Sequence, residues 1–116
     1  MDIKRLHVGK RLSEVAIHNN TVYLAGQVAD DASLDIAGQT REVLGHVDRL
    51  LAESGSDKTC ILSMQIYLAD LADFDGMNDE YDAWVPSGHT PPRATVQARL
   101  ANPDWRIEVV VVAAQR

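Results

Sequence analysis

The chain has 116 residues, 46% of them apolar and 24% charged, enough for one domain with a buried core and too few for two. A formal charge of -6 argues against a nucleic-acid or anionic-membrane surface, and no stretch approaches 18 consecutive apolar residues, the length needed to span a bilayer. The single cysteine, Cys60, excludes an intramolecular disulfide and a thiolate metal cluster; together with an N-terminus that lacks an apolar signal segment, it makes the cytoplasm the expected compartment.

Lys4 to Val8 reads as a first strand. Val15 to Asn19 and Val22 to Gln27 flank Asn19-Asn20, a pair that tolerates left-handed dihedrals and suits a tight hairpin turn. After an acidic loop, Asp30 to Ser33, the spacing becomes helical. Ile36, Val43, Leu44, Val47, Leu50 and Leu51 form one apolar stripe, with Gly55 as a C-terminal stop. Ile61 to Leu68 alternates as a strand with Leu62, Met64, Ile66 and Leu68 on one face. A second helix is predicted from Asp73, as N-cap, to Trp84, with Phe74, Met77, Tyr81 and Trp84 on its buried face. Pro86, Gly88, Pro91 and Pro92 then enforce a loop. Two more strands follow, one carrying Arg93 to Val96 and the other Trp105 to Val112. The order βββαβαββ predicts one α+β domain over residues 1–116, a mixed six-stranded sheet with two helices on one face.

The last two strands carry the chemistry. Arg93 and Glu108 each stand inside an otherwise apolar segment, where a charge is costly unless paired or used. Folded as a hairpin about Asn102-Pro103-Asp104, the two segments would set Arg93 almost opposite Glu108. A guanidinium that grips carboxylates, facing a carboxylate that holds a water, outlines a small-molecule site. The plainer reading is a structural ion pair between strands. In the final strand, Ile107, Val109 and Val111 point one way and Glu108, Val110 and Val112 the other. Helices cover only one face, so the second valine row predicts packing against other subunits.

Several segments resemble the RidA (YjgF) family of imine and enamine deaminases, and within it the short YoaB-like branch. They are Val22-Tyr23-Leu24-Ala25-Gly26-Gln27, the helix carrying Gln39-Thr40, Ala69 to Asn78, and Pro91-Pro92-Arg93-Ala94 with Glu108 fifteen residues after the arginine. The resemblance implies a chorismate-mutase-like (RidA-type) fold and a homotrimer with clefts between subunits. It also implies cofactor-free hydrolysis of 2-imino acids or their enamine tautomers to 2-keto acids and ammonia. In that reading Arg93 clamps the substrate carboxylate, Glu108 handles the water, and Thr95 and Gly26 line the cleft. Trp84 is a candidate cleft wall, with a core or interface position as its alternative.

Three positions that the resemblance places on the lining of the substrate site depart from the archetypal deaminases. Leu12 stands where they carry a tyrosine, Ala25 where they carry a serine, and Thr95 where they carry a cysteine. These changes leave a rival open, a non-catalytic binder or sensor of small 2-keto or 2-imino acids. A further rival is an interaction protein. The four histidines, His7, His18, His46 and His89, are not spaced i, i+4 from one another, so no metal site is expected.

Overall fold

The computed structural model describes residues 2–116. Strands β1 (Lys4–Val8), β2 (Ser13–His18) and β3 (Thr21–Leu24) form an antiparallel meander, followed by helix α1 (Ile36–Glu53). Strand β4 (Ile61–Leu68), helix α2 (Phe74–Trp84), strand β5 (Arg93–Gln97) and strand β6 (Ile107–Ala114) complete the chain. The β2–β3 turn is made by Asn19 and Asn20, both at positive φ (50° and 62°), as their short polar side chains allow. Helix α1 begins under Asp35, whose carboxylate accepts from the Gly38 N–H, and stops where Gly55 turns to φ 74°.

The sheet order is β1-β2-β3-β6-β4-β5, with β4 and β5 parallel and every other pair antiparallel. This corrects the expected β5–β6 hairpin, because β4 lies between the two strands. The Asn102–Asp104 turn does form, with the Trp105 N–H bonded to the Asn102 carbonyl, but it turns a corner and closes no ladder. Two physical facts account for the order. The β4–α2–β5 segment is a crossover unit, which makes its strands parallel neighbours. Strand β6 is nearly all apolar and is stabilised most as a central strand, between β3 and β4.

Both helices pack on one face, over a core of Val15, Val22, Val43, Val47, Leu50, Leu51, Met64, Ile66, Leu68, Met77, Val109 and Val111. Two local expectations change. A register shift between Ile61 and Ser63 turns Leu62 outward, so Ile61 takes its place in the core. On α2, Met77 and Tyr81 are buried but Phe74 is exposed, and Asp73 makes no side-chain cap; its carboxylate meets Arg106 instead, at 3.5 Å. On the helix-free face, Glu108, Val110 and Val112 are half-buried beside the exposed Tyr23 and Val96.

Candidate active site

Arg93 opens β5, an edge strand, opposite the buried Met64 of β4, and its side chain lies on the helix face. There α2 builds a seat for it. Nη1 donates to Asn78 Oδ1 at 2.8 Å, and the guanidinium carbon lies 4.6 Å from the centroid of the Tyr81 ring and 6.0 Å from that of Phe74. Asn78 and Tyr81 sit three residues apart, and Phe74 and Asn78 four apart, so one helix surface presents all three. Burial pushes the Tyr81 phenol above its ordinary pKa, against the opposing charge of Arg93, so the ring meets the cation as a neutral π face. Among the described residues no carboxylate lies within ion-pair distance of Arg93. One of its five N–H groups is used by Asn78, leaving a fork for an outside carboxylate. Thr95 follows on the same face, and its Oγ1 is buried without a hydrogen-bond partner. A buried hydroxyl left in that state marks a place for a ligand or a second surface.

Glu108 belongs to the other face. It pairs with Tyr67 of β4, whereas Arg93 pairs with Met64, and it alternates with the buried Ile107 and Val109. Arg93 and Glu108 therefore stand on opposite sides of the sheet, with β4 between them and three register positions apart. The structural ion pair within one chain is excluded. Beside Glu108, the Gln27 and Val109 backbones exchange hydrogen bonds of 2.8 and 3.0 Å, which lays Gly26 against the glutamate. A Cβ on Gly26 would overlap Glu108 Oε2. Ala25 is tied to β2 through the Glu14 carbonyl, and Leu12 is exposed at the β1–β2 turn, its carbonyl accepting from the Gly9 N–H. On its other flank Glu108 opens into a groove of about 320 Å³, shared with Tyr67, Arg99, Leu100 and Val110.

The candidate residues thus fall into two half-sites, Arg93 with Thr95 and Glu108 with Gly26. Trp84 joins neither. Its indole N–H donates to Asp48 and its ring meets the Lys58 ammonium at 5.1 Å, which commits it to the α1–α2 seam. Tyr81, placed by its spacing on the buried face of the second helix, and Asn78 seat the arginine, a role with only a faint signal in the sequence: a polar residue one turn before an aromatic on a helix followed by Pro-Pro-Arg.

A six-stranded mixed sheet of this order, with two helices on one face, is the architecture of the YjgF/RidA class. A YjgF-family protein of Neisseria meningitidis has a crystal structure that superposes with a TM-score of 0.97 at 45% identity, covering 100% of this chain and 97% of that one. Residues 3–115 match the sequence model of the family described as Endoribonuclease L-PSP, and the chain belongs to that RidA/YjgF family. The RutC family protein YoaB of Escherichia coli is 46% identical over 114 residues, 98% of this chain and 99% of its own. A more distant relative, the 2-iminobutanoate/2-iminopropanoate deaminase of Rattus norvegicus, is 28% identical over 109 residues, 89% of this chain and 79% of its own.

Glycine at position 26 has a sharp consequence. Gly26→Ala is expected to lower any turnover that uses Glu108 by about tenfold or more, since the methyl displaces the carboxylate by about an ångström. The stability of the exposed segment should change by less than about 1 kcal/mol. Steady-state kinetics beside a thermal melt checks both.

Proposed function

We propose that the protein hydrolyses reactive 2-imino acids and their enamine tautomers to 2-keto acids and ammonia, at clefts between the subunits of a homotrimer. The observation that carries this reading is the Arg93 guanidinium, oriented by Asn78 and Tyr81 and left without a carboxylate of its own. The name of the rat relative supports the reaction class. Among the described residues no helix is long and apolar enough to cross a membrane. The net charge of -6 speaks against the ribonucleic acid substrate in the family's description.

Because the half-sites lie on opposite faces, one small substrate would draw on Arg93 and Thr95 of one subunit and on Glu108 and Gly26 of the next. The edge position of β5 and the half-covered valine row beside Glu108 suit such a contact. Arg93 holds the substrate carboxylate through two parallel N–H···O bonds. Glu108 accepts a proton from a water as that water's oxygen bonds to the C=N carbon and the π pair moves to nitrogen. Glu108 then returns that proton to nitrogen, the carbinol hydroxyl gives its own proton to the freed Glu108 carboxylate as the C=O bond forms, and the C–N pair leaves on nitrogen as ammonia; the carboxylate passes its proton to solvent. An iminium carbon is already electrophilic, so positioning supplies much of the acceleration.

Imino acids generated in place by an amino-acid oxidase, with semicarbazide as trap, provide the test. Wild-type protein should suppress semicarbazone formation and Glu108→Gln should lose at least about a hundredfold in rate. Suppression by neither protein on any side chain tried would overturn the proposal. The rival reading, a keto- or imino-acid binder without turnover, draws on the apolar Leu12 and Ala25. It predicts that Glu108→Gln binds such acids as tightly as wild type, or more so, with no turnover in either.

A further inference from the structure

A second cluster lies where the loop after Gln27 meets α1, in a hollow that Gly26 and Glu14 also line. Asp30, Glu42 and His46 each bring one potential ligand atom to within 4.8 Å of the others. Glu42 and His46 are one helical turn apart on α1, a mixed i, i+4 pair that a search for paired histidines passes over. Three observations bear on what the cluster holds. His46 Nε2 is buried and has no hydrogen-bond partner, on a side chain only 16% exposed. It stands 3.4 Å from Asp30 Oδ2 without the geometry of a hydrogen bond. Among the described residues neither carboxylate meets a lysine or arginine; Arg49, the cation lining the same hollow, is engaged with Glu53, and Arg41 with Glu80.

We propose that Asp30, Glu42 and His46 form a binding site for a borderline divalent cation of the zinc type, with a remaining position open to water. Two ligands at about 2.0–2.1 Å from one zinc ion, at the tetrahedral angle, lie about 3.3–3.4 Å apart, which is the separation His46 and Asp30 already have. One imidazole with two carboxylates selects zinc, or a neighbouring transition ion, over magnesium or calcium, which prefer oxygen alone. Glu42 is already oriented, since one oxygen accepts the Asp31 N–H at 2.8 Å and the other remains for the ion. Two carboxylates without a cation, beside an orphaned imidazole nitrogen, form a set that an ion completes and water serves poorly. The ion would clip the loop after Gln27 to α1 and supply no step of the reaction proposed above.

The test is a titration of chelator-stripped protein with Co²⁺, whose visible absorption reports tetrahedral coordination, followed by displacement with Zn²⁺. Wild type should develop the band at about one ion per chain and gain thermal stability with Zn²⁺. His46→Asn and Glu42→Gln should each weaken binding at least about tenfold, while His7→Asn leaves it unchanged. Glu42 lies on the helix flank, so its variant carries the test if His46→Asn folds poorly. No band with the wild type, a band that survives both substitutions, or displacement by Mg²⁺ as readily as by Zn²⁺ would each overturn the proposal.

Discussion

Arg93→Ala is expected to reduce kcat/KM for 2-imino acids by about 10²–10⁴, with little loss of stability. Two charge-assisted hydrogen bonds to a carboxylate, each worth about 1.5–3 kcal/mol, set the scale, and every 1.4 kcal/mol is a factor of ten. The fold gives the side chain little other work. It is half-buried on an edge strand, pairs with no acid, and leaves behind only Asn78 Oδ1, which water can reach through the opened space. Arg93→Lys should recover only part of the loss. An ammonium keeps the charge but cannot present two parallel donors while bonding Asn78 and resting over the Tyr81 ring. The same experiment reports where the site lies. Arg93→Ala and Glu108→Gln homomers should each be nearly inactive, and unfolding and refolding them together should restore activity, since mixed oligomers contain clefts with both side chains intact. No recovery on mixing would place the two residues in separate functions, or the site within one chain.

What the sequence revealed of this molecule follows the range of the forces involved. Elements set by local periodicity were legible: β1 at Lys4–Val8, the Asn19-Asn20 hairpin turn, the apolar stripe of α1 and its end at Gly55. The alternation of β6 into a buried and a half-covered row was legible too, because strand geometry dictates it. The partner of β5 was not. Arg93 and Glu108 stand close enough in sequence to suggest a hairpin, but the strand between them comes from thirty residues earlier, and only the competition for central and edge positions decides that. The outward turn of Leu62 depends on a register shift that no alternation pattern contains. Arg93 and Glu108 could be picked out as charges in apolar strands, and Gly26 and Thr95 through family resemblance. Asn78 and Tyr81 could not be assigned to Arg93, because that contact depends on how α2 docks against β5 across the loop between them, and no local periodicity contains that docking.

Gln39 is the other residue whose loss should be felt strongly, and nothing in its local pattern announces it. It lies one position before Thr40 on the core side of α1 and is completely buried. Its amide is satisfied on both ends. Nε2 lies within hydrogen-bond reach of the carbonyls of Ala32, Leu34 and Asp104, at 3.2, 3.0 and 3.1 Å, and the carbonyl oxygen accepts the Arg106 N–H at 2.8 Å. One side chain thus joins the loop before α1 to the corner before β6, two stretches that have no ladder of their own to satisfy them. Gln39→Ala removes those bonds and leaves part-buried backbone groups unpaired, at about 1–3 kcal/mol for each group that water does not reach. A loss of about 3–5 kcal/mol is expected, large against a total stability of about 5–15 kcal/mol and readable as a lower midpoint in urea with an unchanged slope. Gln39→Glu separates the hydrogen bonds from the volume. It keeps the size but replaces the donor with an oxygen facing carbonyls, so the folded state favours the protonated acid and raises its pKa above the ordinary glutamate value of about 4.3. The folded state then binds more protons than the unfolded one, and stability must fall as pH rises from about 4 toward that raised value. Gln39→Ala should show no such added slope. Arg106 is two residues from Glu108, so both variants should also loosen the start of β6 and depress turnover in the folded fraction. If Gln39→Ala melts within about 1 kcal/mol of wild type, water has replaced the amide, and the corner before β6 is held by something other than Gln39.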